Sequence, residues 1–378
     1  TVKKAKFNIF NKVEIDDLNL LFNISNNQLT LKKIETNLNS IKLKSPLIKI
    51  EKKKDIFFVD GEVANKEQNF DINKLKPIFG DLLNNIEIEK IDFNSINIFS
   101  FNVNRKLKLK DLKLETNLNL ENFQIVKNPL NLKTFLPNYT EQIKFKDHKI
   151  KIKLIKGILD IRGDGDIYIG DESEQLSYSV IKDDRKITFD TNLNIKNNPL
   201  TINFLDYKKK KGNSSEILLK GIYKKNKELI LKDISITEKN NQILIKDLLL
   251  SKNFKIKDLD YVKLNYRNKN DLLNKIELKK NKSNFSINGK SFDATQLINN
   301  SMSDDESTTI FENFNSNFDI KIGTAYINKN DYTKNLAGYF TFKNNKLDKL
   351  NLASTFSNNK KMNLSIETNN QNETITKF

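Results

Sequence analysis

The chain is 378 residues long and carries a formal charge of +17, with 37% hydrophobic and 30% charged residues, no cysteine and one histidine. These counts exclude disulfides and thiolate metal sites, and leave a zinc centre short of ligands. The lysines alternate with Ile and Leu, as in Lys149-Ile150-Lys151-Ile152-Lys153-Leu154, so the charge reads as a solvated outer face and not as a nucleic-acid stripe.

From the N-terminus, residues 1–20 hold no apolar signal core, and nowhere do ~18 apolar residues run together. Strand-like Phe7 and Ile9 follow almost at once, so the piece is expected to continue a longer protein whose targeting or anchoring segment lies upstream. Period-two alternation then recurs to the end: Leu29/Leu31, Ile41/Leu43, Ile86/Ile88, Leu112/Leu114, Leu118/Leu120, Ile150/Ile152/Leu154, Leu193/Ile195 and Ile202/Phe204. It continues through Leu229/Leu231, Ile243/Ile245, Leu264/Tyr266, Phe285/Ile287, Phe340/Phe342 and Met362/Leu364/Ile366. Successive strand side chains point to opposite faces, so each set marks one apolar face with Lys, Asn, Asp or Thr behind it. The spacing predicts an all-β antiparallel meander over 1–378, one continuous repetitive region. Glycine is too rare for its turns, which fall instead at Asn26-Asn27, Asp183-Asp184, Asn197-Asn198, Lys225-Asn226, Asn240-Asn241, Asn344-Asn345 and Asn358-Asn359.

Three stretches break the rhythm with apolar spacings of three and four or a capping Asp, and predict short helices near 71–84, 129–142 and 293–301. Segment 301–309 is acidic and Ser/Thr-rich, hence a loop. No helical βαβ spacing occurs, which argues against a parallel doubly wound fold.

Catalytic patterns are lacking. His148 has no nucleophile-elbow motif to serve, and no glycine-rich phosphate loop follows a strand. Arg162-Gly163-Asp164-Gly165-Asp166 lacks the calcium-loop pattern and reads as a hairpin turn between Ile161 and Ile167; Lys208–Lys211 reads as a hairpin end. No enzyme, metal or cofactor is expected. What remains is the apolar face. About 25 strands spaced ~4.8 Å apart would extend ~120 Å unless they closed into compact bodies. The face can seal on itself, or curl into a groove that shields acyl chains, whose methylenes each cost ~0.8 kcal/mol in water. The candidate lining residues are Ile150, Ile152, Leu154, Leu193, Ile195, Ile202, Phe204, Leu229, Leu231, Ile243, Ile245, Phe285 and Ile287.

The run Phe285-Ser286-Ile287-Asn288-Gly289-Lys290-Ser291-Phe292-Asp293-Ala294-Thr295-Gln296-Leu297-Ile298 resembles a recurrent element of AsmA-like proteins of the YhdP type, in which a strand ends in G-x-x-[FL]-D before a short helix. Phe318–Ile322, Leu336–Phe340 and Leu347–Leu352 resemble the succession that follows it, and Pro199–Lys209 the element before that family's central domain. The likeness covers roughly 190–366; the family's tryptophans near 130–145 have no counterpart in a chain without tryptophan. The resemblance implies a β-taco-like groove in a Gram-negative-type periplasm, anchored upstream in the inner membrane and passing phospholipid toward the outer membrane, with an outer-membrane partner. An outer-membrane assembly factor of the TamB type and a structural or adhesive β-solenoid are the rival readings.

Overall fold

A computed structural model describes residues 1–9, 13–39, 41–66, 70, 87–127, 132–140, 142–224, 228–296, 312, 315–343, 346–368 and 374–377. The chain is all-β and builds an antiparallel meander, as the alternation predicts. It divides into two compact units, residues 1–133 with 138–187, and 134–137 with 188–378.

The first unit holds β1 (Val2–Ile9), β2 (Val13–Ser25), β3 (Gln28–Leu38), β4 (Ile41–Lys53), β5 (Ile56–Asn65), β6 (Glu87–Asn104), β7 (Leu109–Lys127), β8 (Ile143–Ile155), β9 (Ile158–Ile169) and β10 (Glu172–Lys182). Each strand pairs antiparallel with the next. Two-residue turns join several of them, and the left-handed first position is often lysine: Lys54 (φ 53°) before Asp55 and Lys156 (φ 51°) before Gly157. Within the strands, Asp17, Asp111 and Asp147 also take positive φ at breaks in register. These are β-bulges, which bend the strand and shift the phase of alternation.

The second unit begins with β11 (Lys186–Ile195), whose Asp190 bridges Lys220 at 2.8 Å. A small antiparallel pair, β12 (Leu200–Ile202) and β13 (Tyr207–Lys209), stands as its own sheet. The meander proceeds through β14 (Ser215–Lys224), β15 (Glu228–Glu238), β16 (Asn241–Leu250), β17 (Ile256–Asp258), β18 (Tyr261–Arg267), β19 (Leu273–Asn281) and β20 (Asn284–Asp293). It ends with β21 (Ser316–Tyr326), β22 (Tyr332–Lys343), β23 (Lys346–Phe356), β24 (Lys361–Thr368) and β25 (Thr374–Lys377). β20 and β21 pair parallel, the one exception to antiparallel order among the described pairings.

The predicted helices fare differently. The 71–84 segment and the 301–309 loop lie outside the described residues. Among the described residues of 129–142, only Leu132–Thr134 is helical, a single 3-10 turn; Pro137 follows, and its missing N–H and clash with the preceding turn stop a helix there. Of 293–301, Asp293 ends β20, Thr295 and Gln296 are helical, and the rest lies outside the described residues. The Asp293 carboxylate caps that start, accepting from Thr295 N at 3.0 Å and Thr295 Oγ1 at 2.5 Å.

Candidate functional site: a half-covered apolar sheet face

Directly opposed residues in neighbouring strands share a face, so the register spells out what each face carries. In the second unit one cross-strand row runs Leu219, Ile234, Ile245, Val262, Leu278, Ile287, Ile320, Gly338, Leu352, Leu364, one residue from each of ten strands. Every residue in it is half-buried. Nine strand spacings of ~4.8 Å make this row about 43 Å long. Beside it Phe285, Phe318 and Phe340 stack with ring centroids 4.8 and 4.6 Å apart and continue into Leu350 and Ile366. A second row, Ile217, Ile236, Ile243, Leu264 and Ile276, is also wholly aliphatic.

The first unit repeats the arrangement. Phe22, Leu31, Ile48, Gly61, Phe99, Leu114, Leu154 and Leu159 oppose one another across eight strands, all half-buried except Phe22, which is exposed. Towards the other end of the strands the same face is filled: Ile41, Phe93 and Leu120 form a buried cluster, packed by Leu118, Phe123, Phe145 and Ile150. A polar belt separates the two zones on β5, β6 and β7. There Ser95 donates to Asn65 Oδ1 (2.5 Å), Asn97 to Ser95 Oγ (2.9 Å) and Thr116 to Asn97 Oδ1 (2.8 Å). A hollow of ≈ 460 Å³ adjoins the row Leu118, Ile150, Gly163 and Tyr178, bounded by Asn117, Lys149, Lys151, Arg162 and Asp164.

The candidate lining residues therefore separate. Ile245 and Ile287 lie on the ten-strand row, Leu154 on the eight-strand row, Ile243 on the shorter one, and Phe285 in the aromatic stack at 1% exposure. Ile152, half-buried, is opposed by Thr116 and Ile161; Ile150 borders the hollow. Leu229 and Leu231 oppose Leu250 and Leu248 at the far end of β15. Leu193 is half-buried on β11, and Ile195 is fully buried. Ile202 belongs to the small separate sheet, and Phe204 stands 56% exposed on the 3-10 turn after it. Sequence pairs found the strands; the row members Leu219, Ile234, Val262, Leu278, Ile320, Leu352 and Leu364 come from register.

Two sequence motifs prove to be parts of the packing. The Arg162–Asp166 run is not a turn but the middle of β9; the turn lies at Gly170-Asp171. Its glycines are needed because aromatic rings lie across the strand: a Cβ on Gly163 would meet the Tyr178 hydroxyl, and one on Gly165 the His148 ring, each at 2.5 Å. His148 lies inside β8, fully buried, with Nε2 2.9 Å from the Asp166 carbonyl and its ring edge-on to Phe145. Burial holds its pKa below the ordinary 6.5, against the pull of the Asp166 carbonyl and the Asp164, Asp166 and Asp147 charges. In the lysine run, Lys209 is fully buried and donates to the carbonyls of Asn198 (2.6 Å), Lys196 (3.3 Å) and Lys210 (3.4 Å). Burying an ammonium is tolerated where carbonyl oxygens replace its water shell.

Among the described residues no cluster of three or more His, Asp or Glu side chains could hold a metal ion, and no helix is long and apolar enough to cross a membrane. The chain matches no family model, no curated protein and no solved structure.

Proposed function

We propose that the chain is a non-enzymatic carrier surface for phospholipid, whose acyl chains lie along the apolar rows of the sheet. The observation that carries this reading is the ten-strand row in the second unit, every member of which keeps part of its surface uncovered by protein. Its length of about 43 Å exceeds the ~15 Å depth of one bilayer leaflet, half of a ~30 Å hydrocarbon core. Aliphatic walls take up methylenes without specific polar contacts, so a surface of this kind needs no catalytic constellation. The resemblance of 190–366 to the AsmA-like family supplies the setting: a periplasmic bridge segment, anchored through the inner membrane in the full-length protein and passing lipid toward the outer membrane.

Organic extraction of the purified chain followed by mass spectrometry tests this. Phospholipid in stoichiometric amount is expected; a lipid-free extract from protein purified without detergent would overturn it and favour a structural β-array. Ile245→Asp should abolish lipid recovery, because an unpaired carboxylate on the row carries its desolvation cost into the bound state. Ile245→Leu should leave recovery unchanged.

A further inference from the structure

Leu21, Phe22, Ile96 and Ile98 are exposed within strands of the first unit, but its other exposed large apolar side chains border turns at one end of its sheet. In an up-and-down meander alternate hairpins emerge at the same end, so the β2–β3, β4–β5, β6–β7 and β8–β9 turns stand together. Ile24, Phe57, Leu107, Leu109, Ile155 and Ile158 lie in these four turns or within two residues of them, Ile24 at 68% and Leu107 at 76% exposure. At the opposite end the described turns carry one exposed large apolar side chain, Phe135 in the β7–β8 connection, a stretch that groups with the second unit.

Leu107 is the clearest case. Its φ is 57°, a left-handed conformation that costs leucine backbone energy. The turn imposes it: Leu107 N donates to the Asn104 carbonyl (2.9 Å), and Asn104 Oδ1 accepts from Lys106 N (3.0 Å) and Lys108 N (2.9 Å). A strained leucine held out in water gains nothing for the fold. The second unit repeats the device at Phe254, with φ 59° and 74% exposure beside Lys252. Charge accompanies the apolar tips. Lys54, Arg105, Lys106, Lys108 and Lys156 are exposed in the same turns, against the carboxylate of Asp55, which Arg105 holds at 2.8 Å; the β10–β11 turn at this end adds Asp183 and Asp184 beside Lys182, Arg185 and Lys186.

We propose that this end of the first unit docks on an anionic bilayer surface. Adjacent tips lie two strand spacings, ~10 Å, apart. A protein partner favours a contiguous patch depleted of lysine. A fluid interface accepts separate apolar fingers, each among headgroups, and its phosphates match the lysines. The inference stands on the turns alone and holds whether or not the sheet face carries acyl chains.

The chain has no tryptophan, so one introduced indole reports without background. In the full chain, Leu107→Trp fluorescence should shift to the blue with mixed phosphatidylcholine–phosphatidylglycerol vesicles, and raised salt should reverse the shift. Asp171→Trp, at the opposite end, should not respond. Adding Lys106→Gln and Lys108→Gln should weaken partitioning roughly thirtyfold, from ~1 kcal/mol per lysine. The proposal is overturned by no shift at position 107, by equal shifts at both positions, or by a shift as large with phosphatidylcholine alone. It is equally overturned by a concentration-dependent shift without vesicles, which would report tips packing on a second copy.

Discussion

At Gly338 the backbones of β22 and β23 come so close that a Cβ would run into the Asn351 carbonyl, and φ is 152°. Gly338→Ala should therefore destabilise the second unit by about 1–3 kcal/mol, the usual penalty for overpacking; urea unfolding measures it, and unchanged stability would refute the close approach. His148 gives a second residue-scale test. Because burial lowers its folded pKa below the unfolded ~6.5, the unfolded chain binds the proton first as pH falls. Stability from the neutral ring is thus fully present above about pH 6.5 and declines below it. His148→Phe keeps the ring contacts with Phe145 and Tyr178, loses the bond to Asp166 and should remove that slope. Denaturation midpoints at about pH 7.5 and 5.5, either side of the unfolded value, read the difference.

Within single elements, the alternation was legible because lysine and isoleucine differ so sharply in transfer free energy. Leu154 follows the simple rule: its neighbours Lys153 and Ile155 are exposed while it is half-buried. The rule breaks at bulges. Phe145 and His148 stand three apart yet their rings touch, since the left-handed Asp147 adds a residue to β8 and returns both to one face. Nothing in the local pattern distinguishes that aspartate from a turn aspartate. Turn chemistry was legible at Asn26-Asn27, Asp183-Asp184, Asn197-Asn198 and Asn358-Asn359, where turns or bends stand, and slipped in a related way at one position; Lys225-Asn226 and Asn344-Asn345 lie outside the described residues. Asn26 and Asn359 take the left-handed conformation expected of Asn, but the β15–β16 turn begins one residue earlier than Asn240, at Lys239 with φ 52°. Lysine takes this position because its side chain remains in solvent. The glycines of β9 misled for a third reason: the residues that require them, Tyr178 and His148, come from other strands. Asn97→Leu tests the polar belt at this scale. It removes the bonds to Ser95, Thr116 and the Val63 carbonyl, and should cost about 1–3 kcal/mol by stranding their buried partners. A neutral result in thermal unfolding would mean that the belt is freely hydrated.

For the molecule as a whole, surface area is the telling quantity. The chain exposes 24051 Å² at 44.0 kDa, where a compact monomer of that mass would expose ~15,500 Å² and two compact halves ~18,600 Å². The excess fits strands whose apolar rows stay partly open within each unit. It predicts a urea m-value, summed over all transitions, about a fifth below that of a compact chain of equal length; an ordinary m-value would contradict it. The parallel junction of β20 and β21 has a kinetic corollary. Hairpin neighbours on either side of it can zip from local contacts within microseconds, whereas joining them requires closure of the connection formed by residues 294–315. Two stacks of hairpins should therefore form early, and their union should set the slow phase of refolding.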